Sequence, residues 1–280
     1  MTIWQSGNID VNGLRLHYTR TGGDKPPVVL AHGFSDDGLC WTPVAELLAA
    51  KYDVVMVDAR GHGKSDMPKR GTRRGGLGGD LAGVITGLGL KRPAVLGHSM
   101  GAATALGLAG TYPDLPSAIL LEDPPPWWVT PPSAKRPASS DDWIIELKRK
   151  TREELIAHAH VQSPAWPEAE LGPWADSKLR FSFHFLSRGL GKPVDWPTTV
   201  RRIACPTLLI TADPEKGAIV SPEAAAALQA LLPQTRVSHI AGAGHNIRRE
   251  QFGRYMEVVE SFLANTEGLS HVDPQRTSHH

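Results

Sequence analysis

Short apolar runs alternate with longer mixed stretches along most of the chain. Val28-Val29-Leu30-Ala31, Val54–Val57, residues 94–97 and Ala118–Leu121 are near-continuous apolar runs. Such runs mark strands buried on both faces, as in parallel sheets. Thr207–Thr211 and Arg236–Ile240 read as two further strands. Between them the pattern predicts helices over Cys40–Ala50, Leu81–Leu90, the Ala/Leu-rich run Ala102–Ala109, Pro222–Leu232 and Gln251–Leu263. Pro222 suits the first turn of its helix, where a missing N–H costs nothing. At the start, Asn8–Val11 and Leu14–Arg20 flank Asn12-Gly13, a strong hairpin signal. The β-α alternation predicts an α/β fold: a doubly wound, mostly parallel sheet covered by helices on both faces.

One segment interrupts the alternation. From Pro124 to Val200 no buried-strand run appears, and six of the eight tryptophans lie there: Trp127, Trp128, Trp143, Trp166, Trp174 and Trp196. Helical patches are expected at Asp142–His158 and Trp174–Leu186. A stretch this long between two strands is usually a functional insertion. It is expected to be a helical lid inserted between two strands, over the carboxyl edge of the sheet. Residues 1–123 and 201–266 then form the core, 124–200 the lid and 267–280 a frayed, disordered tail whose last two histidines resemble a tag remnant. Trp127 and Trp128 directly follow a strand end, where ligands bind in open α/β sheets, and are expected to contact substrate.

Composition narrows the class little but excludes some partners. Apolar content of 41% and charged content of 21% are those of an ordinary globular protein. A net charge of +1 gives no case for nucleic acid. The basic cluster Lys69, Arg70, Arg73 and Arg74 reads as a solvated loop. Cys40 and Cys205 are too few for a disulfide framework, which fits a reducing compartment. No apolar run approaches about 18 residues, and the first residues lack the pattern of a secretory signal. The expectation is a cytoplasmic protein with no membrane partner.

The chemistry centres on Gly97-His98-Ser99-Met100-Gly101, a G-x-S-x-G pentapeptide between a predicted strand and a predicted helix. On such a turn a serine is thrust out of the backbone, where its oxygen can attack. A serine hydroxyl needs a base, and His245, in the glycine-rich loop Gly242-Ala243-Gly244-His245-Asn246 after the last strand, is the candidate. Attack on a carbonyl builds negative charge on oxygen, so backbone donors must face it. Met100 N–H, directly after the serine, is one. Phe34 N–H, in the loop His32-Gly33-Phe34-Ser35 after strand 28–31, is the other.

With these residues in place, the chain resembles the α/β-hydrolase family along nearly its whole length. The matching motifs are His32-Gly33-Phe34, Asp58-Ala59-Arg60-Gly61-His62-Gly63-Lys64-Ser65, the elbow around Ser99, and Gly244-His245. They stand in the family's order, with an insertion where the family carries its lid. The resemblance implies a triad in the order Ser, acid, His. The acid departs from the usual pattern. Its common position follows strand 207–211, where Asp213 and Glu215 are candidates only if the loop carries extra residues. Some family members, notably those resembling haloalkane dehalogenases and certain lactone hydrolases, place it after the preceding strand. Here that position is Asp123, 24 residues after Ser99. Asp123 is the leading candidate, with Asp213 and Glu215 as alternatives. Glu122 should face the other way.

Other motifs carry less. Gly63-Lys64-Ser65 echoes a P-loop, but Asp58 stands where its leading glycine belongs. Cys40 is expected to be buried, and no His/Cys/Asp spacing suits a metal. The expected function is a cofactor-free serine hydrolase cleaving a small, apolar or aromatic carboxylic ester or lactone through an acyl-enzyme. A C–C bond hydrolase, an amidase or aminopeptidase, or a perhydrolase would share the triad. A non-catalytic receptor on the same scaffold is the remaining alternative. An epoxide hydrolase or dehalogenase would need Asp at position 99.

Overall fold

β1 (Gln5–Val11) and β2 (Leu14–Arg20) pair antiparallel across Asn12-Gly13, whose φ angles of 54° and 78° form the left-handed turn that matches strand twist. The computed structural model describes residues 4–68, 76–131, 142–185 and 194–270, and of 267–270 the backbone alone. β3 (Pro27–Ala31), β4 (Asp53–Val57), β5 (Ala94–His98), β6 (Ala118–Glu122), β7 (Thr207–Thr211) and β8 (Thr235–His239) complete an eight-stranded sheet of order β1-β2-β4-β3-β5-β6-β7-β8. β2 pairs antiparallel with β4, and from β4 onward every pairing is parallel.

Side chains alternate across each strand, so every apolar run feeds two cores. Val29, Val55, Val95, Ile119 and Leu209 face α2 (Gly76–Gly87), α3 (Met100–Thr111), α7 (Trp196–Arg201) and α8 (Pro222–Leu231). Val28, Val54, Leu96, Leu120 and Leu208 face α1 (Thr42–Leu48) and α10 (Phe252–Ser270). This two-sided burial is what the unbroken apolar strands require.

The inserted segment contributes α4 (Asp142–Leu147), α5 (Arg152–Gln162) and α6 (Glu168–Arg180), besides α7. Their apolar faces form a third cluster with Ile144, Leu155, Leu171, Trp174 and Phe181, and this cluster takes in Met100 and Phe34 from the body. Helix boundaries differ from the periodic reading for local reasons. The run expected over Asp142–His158 divides at Thr151, which caps α5 in a reciprocal box with Glu154. α6 starts at Glu168, ahead of the expected Trp174, because it continues through Pro173. The run from Cys40 divides into a single 3-10 turn, Gly38–Trp41, and α1. α10 continues to Ser270, past the expected start of the tail. Residues 271–280 and the basic cluster at 69–74 lie outside the described residues. Among the described residues no helix is long and apolar enough to cross a membrane.

Packing predicts opposite effects for two substitutions. Leu106, 1% exposed in the first core, should cost about 2–5 kcal/mol on truncation to Ala. Gly79, inside α2 with only Tyr112 Oη at 3.9 Å from an added Cβ, should gain about 0.5–1 kcal/mol as Ala. Urea denaturation of both variants checks the pair.

Candidate active site

The parallel strands all end at one edge, and the residues after β3, β5, β6 and β8 meet there. Ser99 joins β5 directly to α3 with φ 51° and ψ −114°, a conformation a side-chain-bearing residue rarely holds. Its strain, of order 1–3 kcal/mol, is held by Ser99 N–H donating to Glu122 O at 2.9 Å and by Ser99 O accepting from Ala103 N at 3.0 Å. The flanking glycines are steric necessities: a Cβ on Gly97 would sit 2.3 Å from Gly101 O, and one on Gly101 would sit 2.0 Å from Ala31 O. Met100 opens α3, so its N–H is among those a helix start leaves without an intrahelical partner.

The loop after β3 is braced from beneath. His32 Nδ1 donates to Gly33 O at 2.8 Å and Nε2 accepts from Ala59 N at 2.9 Å, which fixes the neutral tautomer. Asp36 N–H also donates to Gly33 O, at 3.2 Å. Asp58 accepts from Gly38 N at 2.7 Å, Lys64 N at 2.9 Å and His17 Nδ1 at 2.9 Å. These bonds hold its carboxyl below the ordinary range although burial pushes the other way. The stretch 58–65 is thus a brace for the loop carrying Phe34. The Phe34 ring packs edge-on against Trp143 at 6.0 Å, Phe181 at 5.1 Å and His62 at 6.2 Å, and tilted against Phe185 at 6.1 Å.

His245 and Asp123 are brought together: His245 Nδ1 lies 2.6 Å from Asp123 Oδ2. Asp123 directly follows β6 with φ 40° and has no exposed surface. Its carboxylate also accepts from Ile219 N at 2.9 Å and Val220 N at 3.0 Å. Nδ1 therefore carries the proton toward the carboxylate, and Nε2 is left as the basic nitrogen. Next to Ser99, the His98 ring lies tilted against that of His245 at 4.8 Å and donates from Nε2 to His245 O at 2.9 Å.

The two alternative acids are elsewhere. Asp213 accepts from Gly242 N at 2.7 Å and from His239 Nε2 at 3.0 Å, while its own N–H donates to Ala243 O at 2.9 Å. It ties the β7 loop to the loop of His245. Glu215 is exposed on a 3-10 turn. Glu122 does face away from Asp123: it accepts from Arg248 N at 3.0 Å and from its guanidinium at 3.2 Å. The two tryptophans at the strand end pack against the body. Trp128 is buried in the first core and spends its indole N–H on Ala224 O at 2.9 Å, and Trp127 packs on Trp196 at 5.2 Å. A buried indole must find such a partner. The rings around Phe34 are instead Trp143, Phe181, Phe185 and His62.

A layer of buried charge beneath the site had no sequence signal beyond residue type. Asp36, Glu122 and Glu170 are matched by Lys178, Arg248 and Arg249, each at most 5% exposed at its side chain. The three cations hold the Asp36 carboxyl well below its usual range. The planes of Arg248 and Arg249 lie over Trp41 and Trp166 at 4.3 and 4.6 Å. Burial pushes the Cys40 thiol up to about 12 and Cys205 up to about 11, so neither is a poised nucleophile. Among the described residues no cluster of three or more His, Cys, Asp or Glu could hold a metal ion.

A strained serine turn between strand and helix, a carboxylate–histidine pair and a braced loop at the carboxyl edge of a parallel sheet define a class. The chain belongs to the α/β-hydrolase fold family, whose sequence profile matches residues 26–248. It is 26% identical over 274 residues to N-formylmaleamate deformylase of Pseudomonas putida, covering 94% of this chain and 97% of that one. It is 26% identical over 267 residues to 2-(acetamidomethylene)succinate hydrolase of Mesorhizobium japonicum, covering 92% and 95%. Its fold is similar to the crystal structure of a putative aryl esterase from Burkholderia cenocepacia, with a TM-score of 0.77, 18% identity and coverage of 94% and 100%.

The buried histidines make stability depend on pH. Burial, with the nearby His32, lowers His62 to about 3, and burial beside Arg248 lowers His98 well below its ordinary value. Between about pH 6.5 and 3 the unfolded chain binds a proton at His62 that the folded one does not, and His98 acts in the same direction. Stability therefore falls as pH drops through that window, by up to about 1.4 kcal/mol per pH unit for each histidine. Urea denaturation at pH 5 and 6 should show a slope smaller by one proton in His62→Gln than in the wild type. An equal slope would mean His62 titrates alike in both states.

Proposed function

We propose that the chain is a serine hydrolase cleaving a small, apolar or aromatic carboxylic ester or lactone through an acyl-enzyme. The observation that carries this reading is the 2.6 Å contact between His245 Nδ1 and a fully buried Asp123, with Ser99 on a strained turn directly after His98, which bonds the His245 carbonyl. Ser99 Oγ attacks the carbonyl carbon while His245 Nε2 takes its proton. Asp123 keeps the imidazole in the Nδ1–H tautomer and stabilises the imidazolium that forms. The N–H groups of Phe34 and Met100 receive the oxyanion. His245 then protonates the departing alkoxide oxygen, and the same nitrogen activates a water that releases the acid and frees Ser99.

The inserted helices act as the lid. Phe34 and the exposed Trp143, backed by the buried rings of Phe181 and Phe185, supply an aromatic surface at the oxyanion loop, which suits an apolar acyl or alcohol part. One further reading has its own support: two relatives matched along most of their length are named as a deformylase of N-formylmaleamate and a hydrolase of 2-(acetamidomethylene)succinate. The same triad serves an amide-type C–N bond, with His245 protonating nitrogen instead of oxygen.

Aryl acetate and anilide substrates, assayed in parallel, separate the two bonds. An ester reading expects kcat/KM to favour the ester by more than the difference in intrinsic reactivity. Ser99→Ala should lower kcat by about 10⁴–10⁶-fold with an unchanged fold. Asp123→Asn should lower it by about 10⁴-fold, while Glu215→Gln stays within threefold of the wild type. Retained turnover in Ser99→Ala, or equal losses in Asp123→Asn and Glu215→Gln, would overturn the assignment.

A further inference from the structure

Two residues past Phe34, Asp36 turns its two oxygens in different directions. Oδ1 accepts from Lys178 Nζ at 2.6 Å, and the same ammonium donates to Ser35 O at 3.1 Å. Lys178 lies on α6 of the inserted segment. Oδ2 accepts from Arg249 at 3.0 Å and lies 3.5 Å from Arg248. Both arginines belong to α9 (Ile247–Glu250), which begins two residues after His245. Arg249 returns to α6 through Glu170 Oε2 at 3.0 Å and reaches Asn246 Oδ1 at 3.1 Å. One buried carboxylate thus touches the inserted helix, the oxyanion loop and the helix behind the base.

The backbone of Asp36 gives this hub a chemical consequence. Its N–H donates to Gly33 O, and that carbonyl belongs to the same peptide unit as Phe34 N–H. In a trans peptide the C=O and N–H point in opposite directions, so fixing one aims the other. Ser35, between them, is held at φ 64°, a left-handed conformation that its neighbours must enforce. Lys178 clasps the carbonyl of that residue and the side chain of the next. With α6 lifted away, Ser35 and Asp36 lose these bonds, and Arg249 loses Glu170. Charges this deeply buried are tolerated only with all partners in place.

We propose that Lys178 and Asp36 are positioning residues through which docking of α6 sets both the Phe34 N–H and the helix that follows His245. Lid docking and assembly of the site are then one event. The inference rests on the serine-hydrolase reading for its effect on turnover, and on geometry alone for the coupling.

Two readouts test it on the full-length protein. With an aryl acetate, Lys178→Gln should lower kcat per titrated active site at least tenfold while KM changes less than threefold. Lys178→Arg should recover kcat to within threefold of the wild type. In hydrogen exchange, Lys178→Gln should speed the amides of Asp36, Arg248 and Arg249 more than tenfold, although Lys178 touches neither arginine, and leave β5 unchanged. If Lys178→Gln does not fold, Glu170→Gln opens the same layer from its other end, with the same expectations. A kcat per site within threefold of the wild type, or faster exchange confined to α6, overturns the proposal. A wild-type protein without hydrolysis would overturn the serine-hydrolase reading instead, and the exchange result would still decide the coupling.

Discussion

A carboxylate without access to water has to be answered by donors on every side, and Asp123 imposes that condition on the whole carboxyl edge of the sheet. Its donors are Ile219 and Val220 from the segment after β7 and His245 from the loop after β8. Three connections distant in sequence must therefore converge before the charge is satisfied. Leaving a buried acceptor without one of its donors costs about 1–3 kcal/mol, and more for a charged one, so the convergence is strongly enforced. Glu122 repeats the arrangement on the opposite side of β6. It takes the backbone and guanidinium of Arg248, three residues after the base. Adjacent residues of one strand thus anchor the His245 loop from two directions.

Strain and charge are concentrated in the same place. Ser35, Ser99 and Asp123 all hold positive φ angles without being glycine. Each is pinned by bonds to a neighbouring element, and each stands at or beside a group assigned to the chemistry. The sheet supplies the rigidity and its carboxyl edge uses it, as expected for strain that persists only where the surroundings over-determine it. The inserted helices belong to this arrangement, because Met100 and Phe34 pack in their apolar cluster and Asp36 shares their charges.

Much of this was legible in the sequence because the signals were local. Near-continuous apolar runs such as Val28–Ala31, short and rich in β-branched residues, suit buried parallel strands, and the alternation with helices defines the sheet. The elbow is legible because Gly97 and Gly101 are the residues that so close a turn demands. The meeting of Asp123 with His245 was less so, since Asp213 and Glu215 sit near the commoner position; only three-dimensional convergence separates them. The charged layer was invisible. Nothing in the types of Asp36, Glu170, Lys178 or Arg249 distinguishes a buried ion from a solvated one, and their partners lie far away in sequence. Trp128 shows the reverse: a residue type prominent in composition is here buried, with its indole N–H spent on Ala224 O. Two of the four rings that surround Phe34 are phenylalanines, whose apolar side chains carry no sequence signal for a site.

Membership of the α/β-hydrolase fold family fixes the scaffold, while relatives of differing names show that the scaffold alone does not fix the bond. The account stands on Ser99 being a nucleophile activated by His245. Peptide mapping after treatment with a fluorophosphonate tests this most directly. A single phosphonyl adduct on Ser99 is expected, formed rapidly in the wild type and far more slowly in His245→Gln. An unlabelled protein, or an adduct on another residue with Ser99 intact, would contradict it.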